Sequence, residues 1–200
     1  MECEPQLWQS WAETIRDQLA SLCGHQSLFH KTISAISKQP NEVPAGAPAT
    51  WYRHYLSLYA DRQVIALRRV IVSTQGSVSL ERLLRSMAKH PREARESGYD
   101  AAVVGRDLSR LLERVDTLKA WADKVVAHVD PLKPATIPNF GDIDTAIQDA
   151  CSTFYRYEFG LTGQTTLLED PATPPGQEQL ADELMRAFGR FRVISPGPPA

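Results

Sequence analysis

The sequence predicts an all-α protein, an antiparallel bundle of about five to six helices. Three observations carry that expectation. Apolar residues recur at three-and-four spacing through several long stretches, the period of a helix with one buried face. Proline- and glycine-rich segments separate those stretches and punctuate them as helix ends. No stretch alternates apolar and polar as a half-buried strand does, and the β-branched cluster Val70-Ile71-Val72 continues a helical period.

Residues Gln6 to about Ser37 read as the first helix, with Trp8, Trp11 or Ala12, Ile15, Leu19, Leu22 and Cys23 on one face. Gly24 bends or ends it. Lys38 to Thr50 is a Pro/Ala/Gly-rich connector, too poor in large apolar groups to pack. Thr50 is positioned to cap a second helix, Trp51 to about Gln75. That helix has two adjacent stripes, Tyr52, Leu56, Tyr59, Ala66, Leu67 and Val70 beside Trp51, Tyr55, Leu58, Ile65 and Val72. So wide an apolar arc belongs at the centre of a bundle.

Gly76 stops it, Ser77 or Ser79 caps a shorter helix from Leu80 to His90, and Pro91 ends that one. After a charged connector (PREARESGYD) the fourth helix spans about Ala101 to His128, with a stripe of Val104, Leu108, Leu111, Leu112, Val115, Leu118, Ala122, Val125 and Val129. Pro131, Pro134 and Pro138 extend the next segment. Asp142 or Asp144 then caps a fifth helix reaching about Phe159. Gly160 to Gln177 reads as a loop, Glu178 to Phe188 as a last amphipathic helix, and ISPGPPA as a disordered tail. The expected organisation is a bundle over 6–160, a packed loop and helix over 161–190, and a tail over 191–200.

Two hundred residues, 42% apolar and 23% charged, suit a globular protein with a substantial core. A net charge of -2 gives no general attraction to polyanions, so nucleic-acid binding requires a local basic patch. The N-terminal MECEPQLWQSWAE lacks a signal peptide's basic start and apolar run, and no segment approaches the roughly 20 apolar residues of a membrane span. The cytosol is the expected location. Cys3, Cys23 and Cys151 form neither a disulfide framework nor a CxxC zinc pair. No cofactor and no metal is expected.

Chemistry concentrates in Trp121-Ala122-Asp123-Lys124-Val125-Val126-Ala127-His128-Val129-Asp130, where His128 falls in the last turn before Pro131. A helix C-terminus favours a cation and raises a histidine's pKa. The plainer reading of His128 is a satisfied helix-end histidine, and of Asp123 and Lys124 a solvated face.

This helix ending resembles the signature of the HEPN superfamily of helical proteins: an Arg, a polar residue and, a few residues later, a His near a helix end. The run Tyr59 to Arg69 (YADRQVIALRR) and the following Ser79-Leu80-Glu81-Arg82-Leu83-Leu84 are similar to the abortive-infection, AbiU-like branch. The resemblance spans roughly Trp8 to Phe159. It implies a metal-independent endoribonuclease acting as a homodimer across a composite cleft. In it His128 is general acid/base, Asp123 orients a neighbour, and an Arg stabilises charge on phosphate. Attack by a 2′-hydroxyl needs a group titrating near neutrality and fixed positive charge on the phosphate oxygens. This chain departs from the pattern, because Ala122 stands where the family carries its Arg. Lys124, on the face of His128, could substitute as a point charge without arginine's bidentate fork. Arg62, Arg68 or Arg69 could also reach the site as RNA-binding residues.

Blander readings accompany the remaining features. Arg62, Arg68, Arg69, Arg82 and Arg85 suit a surface salt-bridge network as well as an RNA surface. Trp51, Tyr52, Tyr55 and Tyr59 read as core before they read as a base-stacking platform. His25 and His30 face apart, Cys151 reads as packing, and Phe154 to Phe159 (FYRYEF) closes the core or makes a dimer seam. Two functional expectations follow. One is a HEPN-like ribonuclease of prokaryotic defence or toxin–antitoxin type, with RNA as substrate and an antitoxin or sensor protein as partner. The other is a catalytically inactive helical adaptor or binding subunit of a defence complex.

Overall fold

Helices account for nearly all of the described chain. The structure, a computed structural model, describes residues 4–37, 47–74, 76–123 and 138–165. In order these form α1 (Glu4–Ser37), α2 (Ala47–Ile71), α3 (Leu80–Lys89), α4 (Pro91–Glu96), α5 (Ala101–Trp121) and α6 (Phe140–Thr162). The all-α bundle expected from periodicity is the observed architecture, and the described residues contain no strand. None of the described helices is long and apolar enough to cross a membrane.

α1 runs unbroken for 34 residues, so Gly24 does not end it. A helical glycine costs roughly 1 kcal/mol against alanine, a small term beside the burial around it. Trp8, Ala12, Ile15, Leu19 and Leu22 are each at most 2% exposed. α2 begins at Ala47, before the expected cap at Thr50; proline is tolerated in a helix's first turn because its missing N–H has no partner there. Pro91, which ends α3, also opens α4 at its first position, where its fixed φ is pre-organised for a helix. The expected charged connector is therefore partly helical.

Caps set the other boundaries. Ser79, not Ser77, is the N-cap of α3, its side chain accepting from the Arg82 backbone N–H. Asp100 caps α5 by accepting from Ala102. The cap of α6 is Asn139, where Asp142 or Asp144 was expected. Asn139 Oδ1 accepts from the Asp142 N–H at 3.1 Å, while Asp142 Oδ2 accepts from the Asn139 N–H at 2.7 Å. This reciprocal pair satisfies two donors that a helix start leaves open. α6 continues past Phe159 to Thr162 and ends on Gly163 in the left-handed conformation (φ 68°).

α1 packs most extensively on α6, and α3 on α5. The α1–α6 contacts Arg16–Glu158, Cys23–Cys151 and His30–Asp144 descend along one helix as they ascend the other, so the pair is antiparallel. α1 and α2 are antiparallel by the same reasoning, from Phe29–Tyr59, Leu22–Gln63 and His25–Arg62. Phe154, Leu80, Leu83, Leu84 and Met87 are fully buried in the shared core. Phe29 stacks on Tyr59 with centroids 3.6 Å apart and meets Phe140 at 5.2 Å, joining α1, α2 and α6. Tyr59 thus serves the core, and burial pushes its hydroxyl pKa up to about 12.

Two buried carboxylates are paired. Glu158, fully buried, takes Arg16 at 2.7 Å. Asp107 accepts from the Tyr157 hydroxyl at 2.8 Å and meets Arg156 at 2.9 Å. The Phe154–Phe159 cluster therefore closes the core through Phe154 and Tyr157, while Phe159 is 66% exposed. The side chain of Trp51, the 38–46 connector, the 131–137 stretch expected to be extended, the segment 166–177, the helix expected over 178–188 and the tail lie outside the described residues.

Candidate functional site

The helical backbone of α5 continues beyond Trp121 through Ala122 and Asp123. Two residues there point in opposite directions. Ala122 continues the stripe of Leu111, Val115 and Leu118 and is 1% exposed. Asp123, on the outer face, meets α2: Arg68 Nε stands 2.5 Å from Asp123 Oδ1, with the side chains 33% and 38% exposed. Charge joins this pair more than alignment does, for the Arg68 Nε–H is buried without a properly directed acceptor. Lys124 and His128 lie outside the described residues.

The arginines of α2 do not form one patch. Arg62 and Arg69 are seven residues apart, about 10.5 Å along the axis, on a face turned toward α1. They line a shallow groove with Gln18, Ser21 and His25. Arg68 points away from them to α5. In the groove Arg62 Nη2 lies 2.9 Å from His25 Nε2. Arginine only donates, so the His25 ring accepts at Nε2 and carries its proton on Nδ1. Desolvation, and then the Arg62 charge, hold the His25 pKa below its ordinary value, against a backbone hydrogen bond to Ser21 that raises it.

Arg82 and Arg85 are committed elsewhere. Arg82 donates to the Ser77 carbonyl at 3.0 Å and lies 4.6 Å over the Trp11 ring. Arg85 pairs with Glu81 at 2.5 Å on the same helix. For these two the salt-bridge and packing reading is the right one. Leu58 and Ile65, expected in a buried stripe of α2, are 54% and 46% exposed, whereas Gln63, assigned to neither stripe, is fully buried and donates to the Leu22 carbonyl at 3.2 Å.

Comparison with protein-family profiles, with curated proteins and with solved structures finds no match for this chain. What its site can do rests on the geometry alone.

Structure adds a second polar site, between α1 and α6. His30 Nε2 lies 2.9 Å from Asp144 Oδ2, and Gln26 donates to Asp144 Oδ1 at 2.7 Å. They border a cleft of about 640 Å³ that also reaches Cys23 and Cys151, whose sulfurs are 3.5 Å apart. His30 is two helical turns from Cys23, about 10.5 Å, too far for a Cys–His nucleophile pair. The signal for this seam was present in outline: Cys23 and His30, like Asp144 and Cys151, are seven residues apart. Periodicity alone does not say which helices are neighbours. Among the described residues no three His, Cys, Asp or Glu side chains converge as a metal site requires.

Proposed function

We propose that this chain is a HEPN-like metal-independent endoribonuclease of prokaryotic defence or toxin–antitoxin type, in which Arg68 of α2 supplies the positive charge that Ala122 lacks. The observation that carries the reading is the approach of Arg68 to Asp123, which brings a guanidinium from a neighbouring helix to the motif segment. Both side chains are a third or more exposed, so the pair stabilises the fold little and a phosphate can compete for the arginine. Asp123 holds that arginine at the segment by charge. His128, five residues on, takes the proton from the 2′-hydroxyl as its oxygen attacks phosphorus, or returns one to the departing 5′-oxygen. The arginine's fork meets the equatorial oxygens as charge grows on them. Arg62 and Arg69 hold the RNA backbone along the α1–α2 groove. The working unit in this reading is a homodimer, with an antitoxin or sensor protein as its regulator.

Purified chain incubated with single-stranded RNA in EDTA tests this directly. Cleavage leaving 2′,3′-cyclic phosphate ends is expected, and His128→Ala should lower the rate by about 10²–10⁴-fold with unchanged helicity. Equal rates for parent and variant would refute the role given to His128.

A second reading, the non-catalytic adaptor, draws on two other observations. Ala122 is packed into the core, and Leu58 and Ile65 leave an apolar strip of α2 exposed, as a partner-binding helix face would. Absence of RNA cleavage by the parent chain, with retained binding of a partner lost on Leu58→Asp or Ile65→Asp, would favour it.

A further inference from the structure

Cys23 on α1 and Cys151 on α6 are 128 residues apart in sequence, yet their sulfurs touch at 3.5 Å across the helix seam. They are not joined by a disulfide and are mostly shielded, at 8% and 5% exposure. They are not sealed in: both line the cleft with Gln26, Ser27, His30 and Asp144, a polar wall that a small hydrophilic oxidant can follow. Hydrophobic packing alone accounts for a cysteine in a core. It does not require two of them opposite one another at the end of a polar cleft.

We infer that Cys23 and Cys151 form a peroxide-oxidisable dithiol that closes to a disulfide tying α1 to α6. The Cys23 thiolate attacks one oxygen of hydrogen peroxide, the O–O bond breaks, and the departing hydroxide takes up a proton to leave as water. Cys23 is then a sulfenic acid. The Cys151 sulfur attacks Cys23 Sγ, the S–O bond breaks, and a second water leaves with the proton of the Cys151 thiol. Two thiols lose two electrons in all, and one peroxide becomes two waters. The hydrogen bond between the thiols lowers the Cys23 pKa, although burial opposes it, and thiolate is the reactive form. Closure shortens the sulfur separation by about 1.5 Å, to the roughly 2.05 Å of a disulfide.

The packing of α1 on α6 already holds the two sulfurs side by side. A sulfenic acid formed at Cys23 meets its resolving thiol at once, which protects it from further oxidation. Among the described residues no third ligand joins the two sulfurs.

The test uses the full chain with Cys3→Ser, which removes the third thiol. After limited hydrogen peroxide and digestion without reductant, the peptides carrying Cys23 and Cys151 should run as one linked species. The intact monomer should be lighter by about 2 mass units, and dithiothreitol should reverse the change. Cys151→Ser in the same background should instead stop at a Cys23 sulfenic acid trapped by dimedone. Overoxidation by about 32 mass units without the link, links between chains, or two thiols still titrating after prolonged peroxide would each overturn the inference.

Discussion

At the residue scale, Ala122 and Asp123 divide the motif segment between core and solvent. An arginine at 122 would sit where the wall is 1% exposed, so Ala122→Arg should not restore a lost site. It should overpack the core and bury a charge, lowering stability by about 3 kcal/mol or more in denaturant melts. A fully stable Ala122→Arg protein would contradict that placement. His25 carries a pH dependence of its own. Its folded pKa lies below 6.5 because of desolvation and then Arg62. The unfolded chain therefore binds a proton that the folded chain refuses, and stability falls as pH drops through about 6.5. His25→Gln should flatten the part of the stability profile below about pH 6.5, measured by urea unfolding at each pH.

Among the elements, caps and faces answered to sequence unequally. The core faces of α1, α3 and α5 were legible because large apolar residues repeat there without interruption, as in Leu80, Leu83, Leu84 and Met87. The α2 face was not, because apolar residues cover too wide an arc to show which part turns inward. Gln63 went to the core and Ile65 to solvent, and only the positions of α1, α5 and α6 decide that. Polar partners at the ends were misread for a related reason: Asn139, Asp142 and Asp144 are all competent caps, and backbone geometry selects Asn139. Asn139→Ala should cost about 1 kcal/mol and fray the start of α6, visible as a loss of hydrogen-exchange protection at Asp142 and Ile143.

For the whole molecule, one core joins all the long helices, and cooperative unfolding should follow. Phe154, fully buried, sits within that cluster. Phe154→Ala is expected to remove about 3–5 kcal/mol, with far-ultraviolet circular dichroism and tryptophan fluorescence still reporting a single transition. Separated transitions would mean that the helices form independent units. Fold class was readable at this scale from period and punctuation, since both are local properties of the chain. The juxtapositions that matter chemically, Arg68 with Asp123 and Cys23 with Cys151, were not, since each joins helices whose adjacency no local pattern encodes.

The claim that Arg68 takes the place of the motif arginine is tested most directly by RNA cleavage rates of the parent, Arg68→Lys and Arg68→Ala proteins in EDTA. A loss of about 10²–10³-fold is predicted for Arg68→Ala, as for removal of one transition-state donor, with Arg68→Lys intermediate and all three melting within a few degrees. An Arg68→Ala protein that cuts RNA as fast as the parent, or a parent that cuts none, would contradict it.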